Sequence, residues 1–233
     1  MIQPSSERAG FLVDDANVPG LRATIAELAA LGYAETGIGD CLGLHDFTGL
    51  QWRLVSIYRS QRLAGREPLA LAIDLFLLQG TLAPGELDRL FVTSEPDVLI
   101  RAGLLSIDEK GMARARASLF PVGDRLIFSD HAWPHLPHPG YVTVPHDQVM
   151  WVGLDSRHLA HCTSRRPFQE ALDLCTGSGV QALLASTHTK SVLAVDINPR
   201  AVCCTRFNAR VSSNAGGLLR GCLGTSLDRT CTG

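Results

Sequence analysis

Hydrophobic periodicity divides the chain into a helix-rich first part and an alternating strand–helix second part. Leu21, Ile25, Leu28 and Leu31 recur at helical spacing behind Pro19-Gly20, and Gly32 follows. That pattern predicts a helix over 19–31. The glycines at 37, 39 and 43 predict a connection. A second helix is expected at 49–63, with Leu50, Leu54, Val55 and Tyr58 on one face and Arg53, Arg59 and Arg62 on the other. Such arginines suit either an RNA-phosphate stripe or a solvated face, and the acidic surroundings favour the solvated face.

Residues 67–130 alternate differently. An apolar run from Leu69 to Leu78 reads as a helix ended by Gly80, Pro84 suits the first turn of a short helix through Leu90, and a third helix at 95–102 stops at Gly103. The segments Leu104–Ile107, Met112–Val122 and Arg125–Ser129, separated by turns at 108–111 and 123–124, predict a β-ribbon. Helices followed by a β-ribbon is the layout of a winged-helix-like α+β domain. That fold serves DNA binding in some proteins and protein binding in others.

Three prolines and three histidines crowd residues 131–139, where a linker packing Trp133 and Tyr141 against the following domain is the plainer expectation and a metal site the weaker one. From 150 onward, a short helix at 155–162 precedes an apolar strand Glu170–Leu174. That strand runs into Cys175-Thr-Gly-Ser-Gly179 and a helix Val180–Ala185. A second strand, Ser191–Val195, ends in Asp196, and Asn198-Pro199 supplies an N-cap and a first-turn proline for a helix through Arg210. Strand, glycine turn, helix, strand and acid form the opening half of a Rossmann-like sheet. It presents a ligand site at the carboxyl ends of its strands.

Composition narrows the class. The chain has 233 residues, 45% of them hydrophobic and 19% charged, which excludes a disordered or collagen-like chain. Net charge is −2, yet residues 1–150 hold 12 basic and 18 acidic residues while 151–233 hold 9 and 5. That asymmetry suggests two parts with different tasks and argues against strong nucleic-acid binding by the first. The seven cysteines form no Cys-x-x-Cys pair, and neither a signal peptide nor a membrane-spanning run is evident. Free thiols in a cytoplasmic protein, with no membrane partner and no bound metal, are the expectation.

Gly177-Ser-Gly179-Val-Gln-Ala182 followed by Asp196 fits a dinucleotide fingerprint, but that geometry serves two ligand classes. Asp173 separates them. A carboxylate just before the glycines repels a pyrophosphate, whereas it attracts the ammonium and sulfonium of S-adenosyl-L-methionine. The residues therefore favour S-adenosylmethionine over NAD and make an oxidoreductase the lesser alternative.

Glu-Ala-Leu-Asp-Leu-Cys-Thr-Gly-Ser-Gly-Val-Gln-Ala-Leu (170–183) with Ala-Val-Asp-Ile-Asn-Pro-Arg-Ala (194–201) resembles the first motif and following acid of class I methyltransferases. It is most similar to the branch of release-factor glutamine methyltransferases and small-domain rRNA guanine-N2 methyltransferases, a subset of which carries a winged-helix-like N-terminal domain. The resemblance implies an α/β fold with a partial Rossmann-like core, divided as 1–130, a connector at 131–149, and 150–233. It implies that Asp173 holds the methionine ammonium and that Thr176, Gly177 and Gly179 let the cofactor lie on the backbone. Asp196 would bind the ribose hydroxyls, and Ile197 would pack on adenine. Cys175, where many relatives have glycine, is expected to be a small buried turn residue. The implied acceptor is a nitrogen of a protein or rRNA component of translation.

The Asn-Pro-Pro-aromatic motif that grips the acceptor nitrogen in this family is absent, so no catalytic residue is assigned. Residues 211–233 hold five glycines and no strand alternation. They are expected to be poorly ordered and to leave the sheet edge open, with Cys203, Cys204 and Cys222 near exposed surface. The chain would then be catalytically deficient, or a non-enzymatic interaction module with a vestigial cofactor fold.

Overall fold

The computed structural model describes residues 9–45, 47–131, 145–212 and 218–223. Within them the chain is a mixed α/β structure with three small sheets. Helix α1 (Val18–Ala30) follows the predicted periodicity and buries Leu21, Thr24 and Leu28. Residues read as a glycine-rich connection form instead a second helix, α2 (Glu35–Leu42). Here glycine is a packing device: a Cβ on Gly37 would stand 2.1 Å from the Gly32 carbonyl oxygen. The expected helix at 49–63 is broken. It comprises 3-10 turns at Phe47–Gly49 and Trp52–Leu54, the short α3 (Val55–Ile57) and a π-helical turn Tyr58–Arg62.

A second π-helical turn, Ile73–Leu77, extends α4 (Pro68–Ala72) and carries the buried Asp74. Asp74 explains the arginine face. Arg59 Nε donates to Asp74 Oδ1 at 2.6 Å and its Nη2 to the Leu78 carbonyl at 2.7 Å, while Arg66 Nη1 donates to Asp74 Oδ2 at 2.7 Å. Arg66 also pairs with Glu86. A buried carboxylate costs several kcal/mol unless it is paired, so Arg59 is committed to it. Arg53 and Arg62 remain exposed. Helix α5 (Glu86–Leu90) begins after Pro84, with Gly85 as its N-cap, and α6 is Asp97–Arg101.

Strand β1 (Thr81–Leu82), β2 (Leu105–Ile107) and β3 (Ala113–Ala115) form an antiparallel sheet in the order β1-β3-β2. Met112–Val122, expected as one strand, splits into β3 and β4 (Ser118–Val122), and β4 forms a hairpin with β5 (Arg125–Ser129). Beyond the connector come α7 (Leu154–Cys162), β6 (Phe168–Leu174), α8 (Val180–Ala185), β7 (Thr189–Asp196) and α9 (Pro199–Val211). Asn198 caps α9 as expected, its side chain accepting from the Arg200 amide at 2.9 Å.

The tail departs from expectation. Leu218–Leu223 forms β8, which pairs parallel to β7 with Leu193 beside Arg220, giving the order β6-β7-β8. A strand in a parallel sheet need not alternate, so the missing alternation gave no warning. The free side of β7 is thereby covered, and among the described residues β6 and β8 are the two edge strands of this sheet.

One hydrophobic core joins residues of both halves, from Leu21, Phe76 and Phe128 to Leu183, Cys204 and Phe207. Helix α9 is the seam. Arg200, Cys204, Asn208 and Val211 recur along the side that meets the hairpin, and Phe207 packs edge-on against Phe128 at 5.6 Å between centroids. Asn208 Oδ1 accepts from the Phe128 amide at 3.0 Å and its Nδ2 donates to the Phe128 carbonyl at 2.8 Å, so the side chain satisfies both backbone groups of one β5 residue. At the N-terminus of α9, Arg200 donates to both oxygens of Asp130, at 2.6 and 2.8 Å, and to the Ala9 carbonyl at 3.0 Å. Cys204 is fully buried, which corrects its expected place near the surface, whereas Cys203 is exposed. No helix among the described residues is long and apolar enough to cross a membrane.

Candidate ligand site at the glycine turn

Strands β6 and β7 run parallel with Asp173 beside Ala194 and Leu174 beside Val195. Both therefore end on the same side of the sheet, and the turn 175–179 crosses between their ends and α8. Asp173, Thr176, Gly177, Gly179 and Asp196, all anticipated as site residues, converge there. Ile197 follows at the rim and is 71% exposed, an unusual state for an isoleucine.

The two acids hold the turn from opposite sides. Asp173 Oδ2 accepts from the Thr176 hydroxyl at 2.7 Å and from the Ala182 amide at 3.0 Å. Asp196 Oδ2 accepts from the Gly177 amide at 2.9 Å, and its Oδ1 accepts from the Asn198 amide at 2.9 Å. Burial raises the Asp173 carboxyl above its ordinary range. The Asp196 charge adds to that, against the lowering effect of the Thr176 and Ala182 hydrogen bonds. Thr176 is buried and its hydroxyl is engaged by Asp173, so its part in the site is to orient that carboxylate.

Steric room follows from the glycines. At Gly179, with φ +82°, a Cβ would come within 2.8 Å of Thr205 Cγ2, so the turn closes on α9 only with glycine there. At Gly177 the nearest atom to such a Cβ is the Cys175 carbonyl oxygen at 4.0 Å, leaving open space of the kind a ligand lying on backbone needs. Cys175 has φ +58°, in the left-handed region that favours glycine. The residue is exposed, not buried as expected.

Sequence reasoning passed over Asn208 and Thr205 as site residues. Asn208 Nδ2 donates to the Ser178 carbonyl at 2.8 Å, and Thr205 Oγ1 donates to the Gly177 carbonyl at 3.1 Å. Both lie on the buried side of α9 and fix the turn from behind. A polar pair three apart among buried positions of an amphipathic helix was the available signal.

No family model and no curated protein matches this chain.

Among the described residues there is no group of three metal-ligating side chains. His131, the described member of the histidine-rich run, is half-buried with Nδ1 2.9 Å from Ser118 Oγ and Nε2 3.0 Å from the Ala115 carbonyl, so both ring nitrogens are engaged by protein. Trp133, His135, His138 and Tyr141 lie outside the described residues, as do the side chain of Cys222 and the segment 224–233.

Proposed function

We propose that the glycine turn binds S-adenosylmethionine and that the chain carries a class I methyltransferase-like cofactor half, Rossmann-like in its β6–β8 sheet, behind a winged-helix-like N-terminal part. The observation that supports this most is the Asp173 carboxylate lying on the Ala182 amide. A helix N-terminus is the natural seat of a pyrophosphate, and here that seat carries a carboxylate of the protein itself. A dinucleotide would have to place its phosphates against a fixed negative charge. The cofactor with a cationic methionine end gains from the same charge.

The chain's groups fit that ligand. Asp173 would attract the ammonium. The open backbone at Gly177 gives the cofactor a surface to lie on, and Asp196, already bonded through one lone pair of each oxygen, retains acceptor capacity for ribose hydroxyls. Exposed Ile197 supplies an apolar platform for adenine. The bound cofactor supplies an activated methyl group. Transfer to a nitrogen of a translation component, protein glutamine or rRNA base, would then rest on proximity and alignment. The sequence contains no Asn-Pro-Pro-aromatic segment to align an acceptor, so cofactor binding with little or no transfer is the expected behaviour.

Calorimetric titration of the full chain with S-adenosylhomocysteine, S-adenosylmethionine and NAD tests the reading. Binding of the S-adenosyl ligands without NAD supports it. NAD binding without them, or binding of none, overturns it.

A further inference from the structure

We infer that the free edge of β6 is a self-association edge, at which a second copy of this chain continues the parallel sheet by antiparallel β6–β6 pairing about a two-fold axis at Ala171.

The backbone fixes which groups are offered. Phe168 donates to the His188 carbonyl and Thr176 to the Val195 carbonyl, both at 3.1 Å, so even-numbered residues of this stretch turn their backbone groups toward β7. Gln169, Ala171 and Asp173 therefore point theirs outward, and among the described residues no strand lies beyond β6. Such a row of outward amides and carbonyls is a template for another strand.

The side chains of the edge make it sticky. Phe168, Leu172 and Leu174 are 49%, 48% and 59% exposed and share one face with Glu170. The opposite face carries Ala171, Val192 and Ala194, packed against Ala182 of α8. Parallel sheets are ordinarily covered on both faces, and on this face Phe168, Leu172 and Leu174 of β6 stay exposed.

Charge and register select the partner and its direction. Arg165 and Arg166 precede the strand, and Asp173 and Asp196 lie at its far end. Antiparallel pairing of two copies sets the basic end of each against the acidic end of the other, whereas parallel pairing sets like against like. The outward residues must face one another. With Ala171 opposite Ala171 of the second copy, Gln169 lies opposite Asp173, and all three pairs exchange their backbone hydrogen bonds. Moving the axis to Glu170 puts two glutamates in register and brings Pro167, which has no amide proton, opposite Asp173. The Ala171 register avoids both and sets Leu172 opposite Glu170 of the second copy and Phe168 opposite Leu174. This is a small isologous contact, so the dimer is concentration-dependent.

Sedimentation equilibrium of the full chain over a concentration series reads the result. The native chain is expected to populate dimer. Leu172→Glu sets a second carboxylate opposite Glu170 of the partner, twice across the axis, and should raise the dimer dissociation constant about tenfold. The double variant Glu170→Lys with Leu172→Glu should restore it. Circular dichroism identical to the native chain shows that these exposed substitutions leave the fold intact. A native chain that stays monomeric at every concentration overturns the proposal. So does a dimer indifferent to Leu172→Glu, or one that the double variant fails to restore.

Discussion

The Asp173 carboxylate accepts a hydrogen bond from the Ala182 amide, 3.0 Å away, so a strand-end acid caps the helix that follows the glycine turn. The contact is local in space yet nine positions apart in sequence. It neutralises the positive end of α8 with a charge the protein supplies. The same carboxylate is held above its ordinary pKa, first by burial and then by Asp196. Stability and ligand attraction thus make opposite demands on one group.

That opposition gives the first prediction. Asp173→Asn retains an oxygen to accept from Thr176 and Ala182 and removes a desolvated charge. It should keep or raise the thermal midpoint of unfolding while weakening S-adenosylhomocysteine binding by about 1.5–3 kcal/mol, the range for hydrogen bonds to a charged group. The sign of the pH effect follows from the raised pKa. The folded state binds the Asp173 proton more tightly than the unfolded state. Its contribution is therefore present at acid pH and lost as pH rises through the folded value. A carboxyl-detected NMR titration of Asp173, together with melting curves of both proteins, checks this.

Asp196 should behave differently, because it serves the turn as well as the ligand. Asp196→Ala leaves the Gly177 and Asn198 amides without their acceptor and is expected to destabilise the fold by about 1–3 kcal/mol, besides weakening cofactor binding. Asp196→Asn should cost less on both counts. Urea unfolding monitored alongside calorimetric titration separates the two effects.

The seam between the hairpin and α9 depends on Arg200. Asp130 is 6% exposed and accepts from Arg200 and from the Val149 amide. Arg200→Ala should cost about 3–5 kcal/mol by leaving a buried carboxylate short of its partner. Asp130→Asn combined with Arg200→Met should recover part of that loss. A double-mutant cycle in urea measures the coupling.

Acid should loosen the contact between α1 and the 92–94 loop. Burial pushes the Glu27 carboxyl up, but the Ser94 hydroxyl and the Thr93 and Val92 amides outweigh it and hold the group at about 2, against an ordinary 4.5. A depressed carboxyl contributes stability that is fully present above about 4.5 and is lost as pH falls toward about 2. Glu27→Gln should flatten the stability profile across that window. Melting temperature against pH for both proteins provides the comparison.

A second acid effect sits at His131. Burial lowers its pKa below the ordinary 6.5, and the Ala115 hydrogen bond and Asp130 only partly oppose that. Folding therefore favours the neutral ring, whose stabilisation is complete above 6.5 and declines as pH falls below it. Ring-proton NMR shifts should show His131 titrating below the ordinary 6.5.

Local chemistry made the glycine turn legible in the sequence. An apolar run, two glycines, a following helix and an acid at the next strand's end are consecutive features, and backbone geometry carries them directly into space. Asn198 as a cap and Pro199 in the first helical turn were legible for the same reason. What depended on distant partners was not. Gly37 reads as a helix breaker until the Gly32 carbonyl is seen against it, and Arg59 reads as a solvated cation until Asp74 is buried beneath it. Leu218–Leu223 has no alternation to announce it, because a parallel strand is recruited by the backbone of its neighbour. Asn208 shows the difference most plainly. Sequence alone places it on a helix. Only the tertiary structure brings Phe128 and Ser178 to its side chain, because hydrogen-bond pairing between residues 80 and 30 positions apart depends on how helices and sheets pack, and local pattern carries no record of that.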